Sequence, residues 1–586
     1  MTSSMLRCEE KLPHWNKLFY PSERPPLKIP VRGMYYDVRP RTAGRAYTAQ
    51  LSRVSARKIP LQVANRLFAN YRDDILPRFP CFVEADLARA FQCFYGDQQD
   101  PDPSQTRFTS FVAPMVLAIS CLTSKNHDFP KVAALSESLH RDAMHHVAVI
   151  QNASIQALQC LVLLIQHALL LPYSANLWYM TGEAMRMAVS LGLHQEPHWT
   201  IVPDLEDAEL RRRLFWLVYQ LDRTVAISAG CPVALSDQHI TTRLPYDGGS
   251  PHADLKESLR QEPRDKMARQ FLIHCRLRIL QSEIHAIQFF DHPLPDDIES
   301  YASWVQTTAD RIQMLAEKVA SDCPTASWLI AATQQCRVLL YRPSSRNIAV
   351  SESSLLNTVT ASIQLIDSYI NLAQAGGLVL AFEIANSSFQ AGMVMLYALR
   401  NHASELSHAS MIEVVQKALE ALSKLFDMLA KRWPALSDTA HYNKELIDTS
   451  SRNPLGRSGN AYDINVLKEL DCLVTQRRIH SIHHRNIQLP PQDESTPPSH
   501  TSDDLLSDDS WWHAFINDDP NTDDANFALS NPVPATTPEP PRPIAEIVIS
   551  SATNTYPPVE HVFVPLVNVS STILSWGKMS LYGTYL

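Results

Sequence analysis

Glycine is the residue that most restricts this chain. It supplies 15 of 586 positions, well under half of the ~7% usual in globular proteins. Sandwiches and barrels turn often and use glycine where the backbone must turn tightly, so its scarcity favours helices. Apolar spacing points the same way. Ile155, Leu158, Leu161, Val162, Ile165 and Leu169 recur every three or four residues, the repeat of one helix face. Leu177, Met180, Ala184, Met187, Ala188 and Leu191 form the next stripe, and Gly192 stands where a left-handed helix cap would fall. A third stripe, Leu210, Leu214, Leu217, Leu221 and Val225, has Phe215 and Val218 beside it. A helix apolar on so much of its circumference belongs at the centre of a core.

The pattern starts near residue 61 and continues to about 447, with further segments at 267–290, 298–319, 327–341, 354–372 and 378–399. Met411, Val414, Val415, Ala418, Leu419, Leu422, Leu425, Phe426 and Leu429 make the clearest stripe, closed by Pro434. Pro77, Pro80, the turn-like stretch 101–104 and Pro130 punctuate the early part, and a polar break at 246–262 marks where two lobes would meet. Twelve prolines fall in residues 151–450, but fourteen in the last hundred, so the middle reads as folded and the end as extended. The expected fold is all-α: one large helical bundle over 61–450 followed by a disordered acidic C-terminal segment. A weakly ordered stretch at 451–489 would hold one more helix near 461–473. Residues 544–586 are apolar and β-prone; docking as an edge strand and an artefact of gene prediction both fit them.

Charge divides the chain. The net value is −9, unlike the basic surplus of a whole-chain nucleic-acid binder. Residues 1–60, however, form a Pro-containing arm in which 24–58 carries nine basic side chains and one acid. Arg41, Arg45, Arg53, Arg57 and Lys58 suit phosphate contact or nuclear import, and a solvated linker explains them equally. Between 493 and 524 there are ten acids and no Lys or Arg. Within that stretch lie Leu505, Leu506, Trp511, Trp512, Phe515 and Ile516. Mutual repulsion keeps such a segment solvated, and the spacing of four lets the aromatic residues share one helix face on a partner. This is the composition of an acidic activation segment that recruits the transcription machinery or a co-activator. A linker with incidental aromatic residues is the alternative.

Motifs for chemistry are sparse. The ten cysteines stand singly, the nearest pair being Cys81 and Cys93, which suits small core residues in a reducing compartment. His140, His145 and His146 are five and six apart, so no two share a helix face. His480, His483 and His484 sit among Arg477, Arg478 and Arg485, whose charges oppose a bound cation. No nucleophile elbow, phosphate loop or dinucleotide fingerprint occurs, so an enzyme is not expected. The longest apolar run, 160–171, is too short to span a bilayer, and residues 1–15 do not read as a signal peptide. No membrane association is expected.

Two consecutive stretches carry a resemblance. The first runs from Trp178 through Gly182, Ala184, Arg186 and Ala188 to Leu191-Gly192-Leu193-His194. The second holds Arg213, Trp216 and the Asp222-Arg223 pair, then Gly230-Cys231-Pro232 and Leu244-Pro245. Together they resemble the middle homology region of fungal transcription factors of the zinc binuclear-cluster family, although Cys231 stands where Arg is frequent. Most of these residues read as scaffold: close helix approach at Ala184 and Ala188, an indole anchor at Trp216, and charge-assisted bonds from Arg213 and Asp222 or Arg223 that fix adjacent helices. The resemblance implies a nuclear regulator of RNA polymerase II genes that responds to a small-molecule effector and often acts as a homodimer. It also implies zinc in a six-cysteine cluster, but no close cysteine pair is present in this sequence, so no cofactor is expected here. Loss of the cluster, its truncation from the sequence, and action through a partner each fit, which leaves DNA binding weakly supported. A metabolite sensor or scaffold that binds no DNA is the alternative function, and an enzyme with a dispersed helical site is a third.

Overall fold

The computed structural model describes residues 54–452 and Val474, apart from 97–101, 124–128, 172–176, 197–204, 247, 260–262, 264, 345, 348–349, 375–380 and 434–435. The described residues contain no strand. The arm up to residue 53, the stretch 461–473 expected to be helical, the acidic segment and the apolar tail lie outside them.

Helix α1 (Leu61–Asn70) runs into a π-helical turn (Tyr71–Ile75). Helices α2 (Glu84–Tyr95), α3 (Pro103–Thr123) and α4 (Phe129–Met144) follow. Then come α5 (Ile155–Leu170), α6 (Leu177–Ser190) and α7 (Leu205–Ala229). Beyond the polar break lie α8 (Lys266–Phe289), α9 (Tyr301–Asp322), α10 (Ser327–Tyr341) and α11 (Glu352–Gln374). The series ends with α12 (Ala381–Asn401), a short helix (Ala403–His408), α13 (Ile412–Arg432) and α14 (Ser437–Arg452).

Local chemistry sets the boundaries. Ser154, Asp265 and Ser300 cap α5, α8 and α9, each side chain accepting a backbone N–H three residues on. The described part of that stretch, 102–104, is a helix start rather than a turn: Asp102 accepts from the Ser104 N–H at 2.8 Å, and Pro103 is the first helical residue. Pro130 likewise falls in the first turn of α4. Proline lacks only an N–H that has no partner there, so both residues open helices instead of breaking them. Gly192 has φ 70°. The Leu193 N–H reaches the Ala188 carbonyl at 3.0 Å and the Gly192 N–H reaches Val189 at 2.9 Å, the bond pair of a Schellman cap. Gly230, φ 61°, ends α7 with the same pair of bonds, to Ala226 and Ile227.

The main apolar core extends from Tyr71 on the π turn to Val474 and crosses the 246–262 break, so the two expected lobes share one core. All described residues belong to one compact unit. Its centre is α7, which packs against α5, α6, α8 and α12. Residues 214–228 of that helix are buried without exception. Helix α3 is long and apolar enough to cross a bilayer, but 83% of its apolar window is buried inside the protein, as in a core helix. Seven described cysteines are buried and Cys93 is partly so, each without a disulfide partner. The end of the basic arm is seated, not free: Val54, Ala56 and Ile59 are buried.

A helix enclosed on every side must neutralise its charges within the protein. Arg223, fully buried on α7, does so with Asp222 at 3.0 Å and Asp237 at 2.9 Å. It also donates to the Leu235 carbonyl at 2.5 Å, and its guanidinium stacks 3.8 Å from the Tyr219 ring centroid. Asp237 further accepts from the Tyr219 hydroxyl at 2.8 Å and from Ser282 of α8 at 2.7 Å. The arginine therefore ties α7 to the loop that follows it, and the loop ties onward to α8. The expected direct bridge between adjacent helices is replaced by this relay, because Asp222 is a sequence neighbour on the same helix. Burial pushes the Asp222 carboxyl up against the opposing pull of Arg223.

Arg223→Met strands a buried carboxylate and is predicted to destabilise the chain by about 3–5 kcal/mol in urea unfolding. Adding Asp222→Asn is predicted to recover part of that loss. The penalty is smaller at pH 5 than at pH 7, since a folded carboxyl with raised pKa takes up a proton before its unfolded counterpart and so gains stability as pH falls. A penalty under ~1 kcal/mol, or one independent of pH, contradicts the account.

Candidate functional site

The helix pair α6–α7 positions the signature residues. On α6, Ala184 and Ala188 are completely buried, and Gly182 is buried beside exposed Arg186, which pairs with Glu183 at 2.9 Å. Trp178 and Leu191 pack partly buried on the main core. Past the Gly192 cap, Leu193 is buried and the His194 carbonyl accepts the Thr241 N–H at 3.0 Å. On α7, the Trp216 indole donates to the Arg243 carbonyl at 2.8 Å. Arg213 is half-buried beside Tyr246 and favours its phenolate, while burial pushes that tyrosine up to about 12. Glu196 accepts from Arg212 of α7 and from the Arg243 N–H at 3.0 Å. Pro232 is exposed, whereas Pro245 is buried and its carbonyl accepts the Gly248 N–H at 3.1 Å. These residues clamp the loop 230–248 across α6, α7 and α8.

An opening in the fold lies on the neighbouring face of α7. A cavity of about 70 Å³ is enclosed by α5, α7, α8, α10, α11, α12 and the turn after α1. Its buried floor includes Leu169, Leu217, Leu221, Thr224 and Ile384. Its half-buried wall carries Arg78, Phe79, His274, Trp328 and Glu383. Arg278 of α8 reaches in, nearly fully buried, and pairs with Glu383 of α12. A second Arg278 nitrogen donates to Gln281 at 2.6 Å. The His274 ring meets Trp328 edge-on at 5.1 Å, and burial, helped by the Arg278 charge, holds it neutral, well below the usual histidine range. The Arg78 guanidinium stands 5.9 Å from the Trp328 ring centroid. Burial lowers the Arg78 pKa, and the Asp74 charge opposes that shift.

The sequence reading singled out none of the charged or aromatic wall residues. They come from separate elements and share no motif, and their only local signal is charge within apolar helices, as at Arg278 and Glu383. Of the histidines it weighed, His140 is a packing group and His145 is exposed, while His480, His483 and His484 lie outside the described residues. His140 stacks on His167 at 4.7 Å, and Ser136 lies 3.0 Å from the His167 ring nitrogen. Burial drives His140 to about 4. Among the described residues, no group of three or more His, Cys, Asp or Glu side chains is placed to hold a metal. The singly buried cysteines do not fit a zinc cluster there. Of the basic arm, Arg57 is exposed with its guanidinium 4.8 Å from the Phe94 ring, and Lys58 is exposed. Arg41, Arg45 and Arg53 lie outside the described residues, as do Leu505, Leu506, Trp511, Trp512, Phe515 and Ile516.

Residues 68–315, from α1 into α9, match the family model described as Fungal specific transcription factor domain. Among curated proteins, the chain is similar to "Positive regulator of purine utilization" of Emericella nidulans, 25% identical over 387 residues, covering 51% of this chain and 36% of that protein. It is also similar to "Transcriptional activator protein acu-15" of Neurospora crassa, 23% identical over 367 residues, covering 60% of this chain and 39% of the relative. "Pyrimidine pathway regulatory protein 1" of Saccharomyces cerevisiae is 36% identical over 110 residues, 18% of this chain and 12% of that protein. The chain thus spans well under half the length of these relatives. The signature helices and the 78–278 part of the cavity wall fall within the matched residues. Over that stretch the chain matches the fungal specific transcription factor domain, and it is similar there to fungal transcriptional regulators.

Proposed function

We propose that this chain is a nuclear transcription regulator of RNA polymerase II genes, with the helical bundle as its regulatory body. The observation that carries the reading is the family match over 68–315, which contains the helix pair and clamped loop described above. Relatives named as regulators and activators support it. In this reading the bundle does no covalent chemistry. Its cavity receives a small-molecule effector, and the acidic segment at 490–543 contacts a co-activator or the transcription machinery. What supports the second part is the run of ten acids without a Lys or Arg around Trp511, Trp512 and Phe515. Such a segment stays solvated until its aromatic residues find an apolar groove.

Chromatin immunoprecipitation of the full chain in a fungal cell is expected to enrich regions upstream of genes whose transcripts change when the chain is deleted. Absence of both effects contradicts the proposal. Residues 490–543 tethered to a heterologous DNA-binding domain are expected to activate a reporter, and Trp511→Ala, Trp512→Ala and Phe515→Ala together are expected to abolish that activity. A triple variant as active as the parent rejects the activation role.

A further inference from the structure

We propose that the cavity beside α7 binds a small organic carboxylate, with Arg78 taking the carboxylate and the apolar floor taking its carbon body. The inference rests on the reading of the bundle as an effector-responsive body and names the class of effector.

Charge balance carries the argument. Glu383 compensates Arg278, and Gln281 accepts a further Arg278 N–H. His274 is neutral. Arg78 is left over: among the described residues its side chain makes no hydrogen bond or ion pair, and its ring contact with Trp328 at 5.9 Å is near the outer limit for a cation over an aromatic face. Within the lining, Arg78 is therefore the one positive charge with no carboxylate bonded to it, a half-buried guanidinium with five N–H donors; Asp74, outside the lining, acts on it through space without forming an ion pair. A carboxylate matches that fork with two parallel charge-assisted bonds and supplies the single negative charge the site lacks. A doubly charged phosphate would overcompensate one arginine.

The floor defines the remainder of the ligand. Leu169, Leu217, Leu221 and Ile384 offer only carbon. The polar groups beside them are committed: Thr224 donates to the Gln220 carbonyl at 2.8 Å, and the Tyr369 hydroxyl is 2.8 Å from Ser387. A space of 70 Å³ is about half of a ~150 Å³ cavity that holds benzene. It takes the short carbon body of an acid whose carboxylate stays at the half-buried Arg78; a fused-ring or nucleotide-sized ligand does not fit. The cavity is also completed by Trp328 and Glu383, which lie beyond the 68–315 match, so the expected specificity is set partly by residues outside the family domain.

The test is calorimetric titration of the full chain with isobutyrate and butyrate, using isobutyramide as the uncharged isostere and inorganic phosphate as the competing anion. Saturable binding of the acids is expected, with the amide and phosphate at least about tenfold weaker. Arg78→Gln is expected to weaken the acids at least about tenfold while leaving the thermal midpoint of the ligand-free chain unchanged or higher, because it removes an unpaired, partly desolvated cation. Arg78→Lys keeps the charge without the fork and is expected to fall between. Leu217→Phe, which fills the floor, is expected to abolish binding with Arg78 intact. Equal affinity for acid and amide, unchanged affinity in Arg78→Gln, preference for phosphate, or no binding of either acid each overturns the assignment. The chromatin and reporter measurements are unaffected by that result, so failure of the ligand class and failure of the regulatory reading are separable.

Discussion

A charged side chain in the fully buried stretch 214–228 of α7 is the constraint on which this structure turns. Arg223 cannot reach water, so its partners have to be brought to it. Asp222 is available at no topological cost. Asp237 is not, and reaching it requires the chain to reverse at the end of α7. The left-handed cap at Gly230 makes the reversal, and the loop that results is held by Arg223, Ser282 and the Trp216 indole. The order of events in the sequence follows from this: a long helix, a glycine, an acidic residue seven positions later, and a buried proline at 245.

The same helix serves two faces. Trp216, Tyr219 and Arg223 form one stripe at helical spacing and fix the loop. Leu217, Leu221 and Thr224 form the adjacent stripe and floor the cavity. One helix thus contacts both the loop and the cavity. The Arg278–Glu383 pair performs a related task on the far wall, joining α8 to α12 across 105 residues of sequence. Buried ion pairs of this kind add little net stability over an apolar substitute, but each strongly penalises arrangements that separate the partners.

Legibility in the sequence followed the range of the interactions. Helix stripes depend on neighbours three and four residues apart, so the segment expected at 327–341 is the observed Ser327–Tyr341 and the stripe around Leu422 is α13. The Gly192 cap and the need of Trp216 for a hydrogen-bond partner were readable for the same reason. Pro103 and Pro130 were read as punctuation because a proline at a helix start and one in a turn look alike until the cap is seen. Asp237 was not readable as the partner of Arg223, since the two are fourteen residues apart and meet only after the chain reverses at Gly230. The cavity was wholly hidden: Arg78, His274, Trp328 and Glu383 lie on four separate elements, and only the packing of the helices brings them together.

Native-state hydrogen exchange across the folded residues tests the central position of α7 most directly. If α7 is the enclosed element around which the bundle is organised, the amides of residues 214–228 exchange only through global unfolding, and more slowly than those of the terminal helix α14. Exchange of α7 through a local opening, at a rate equal to or above that of α14, would contradict it.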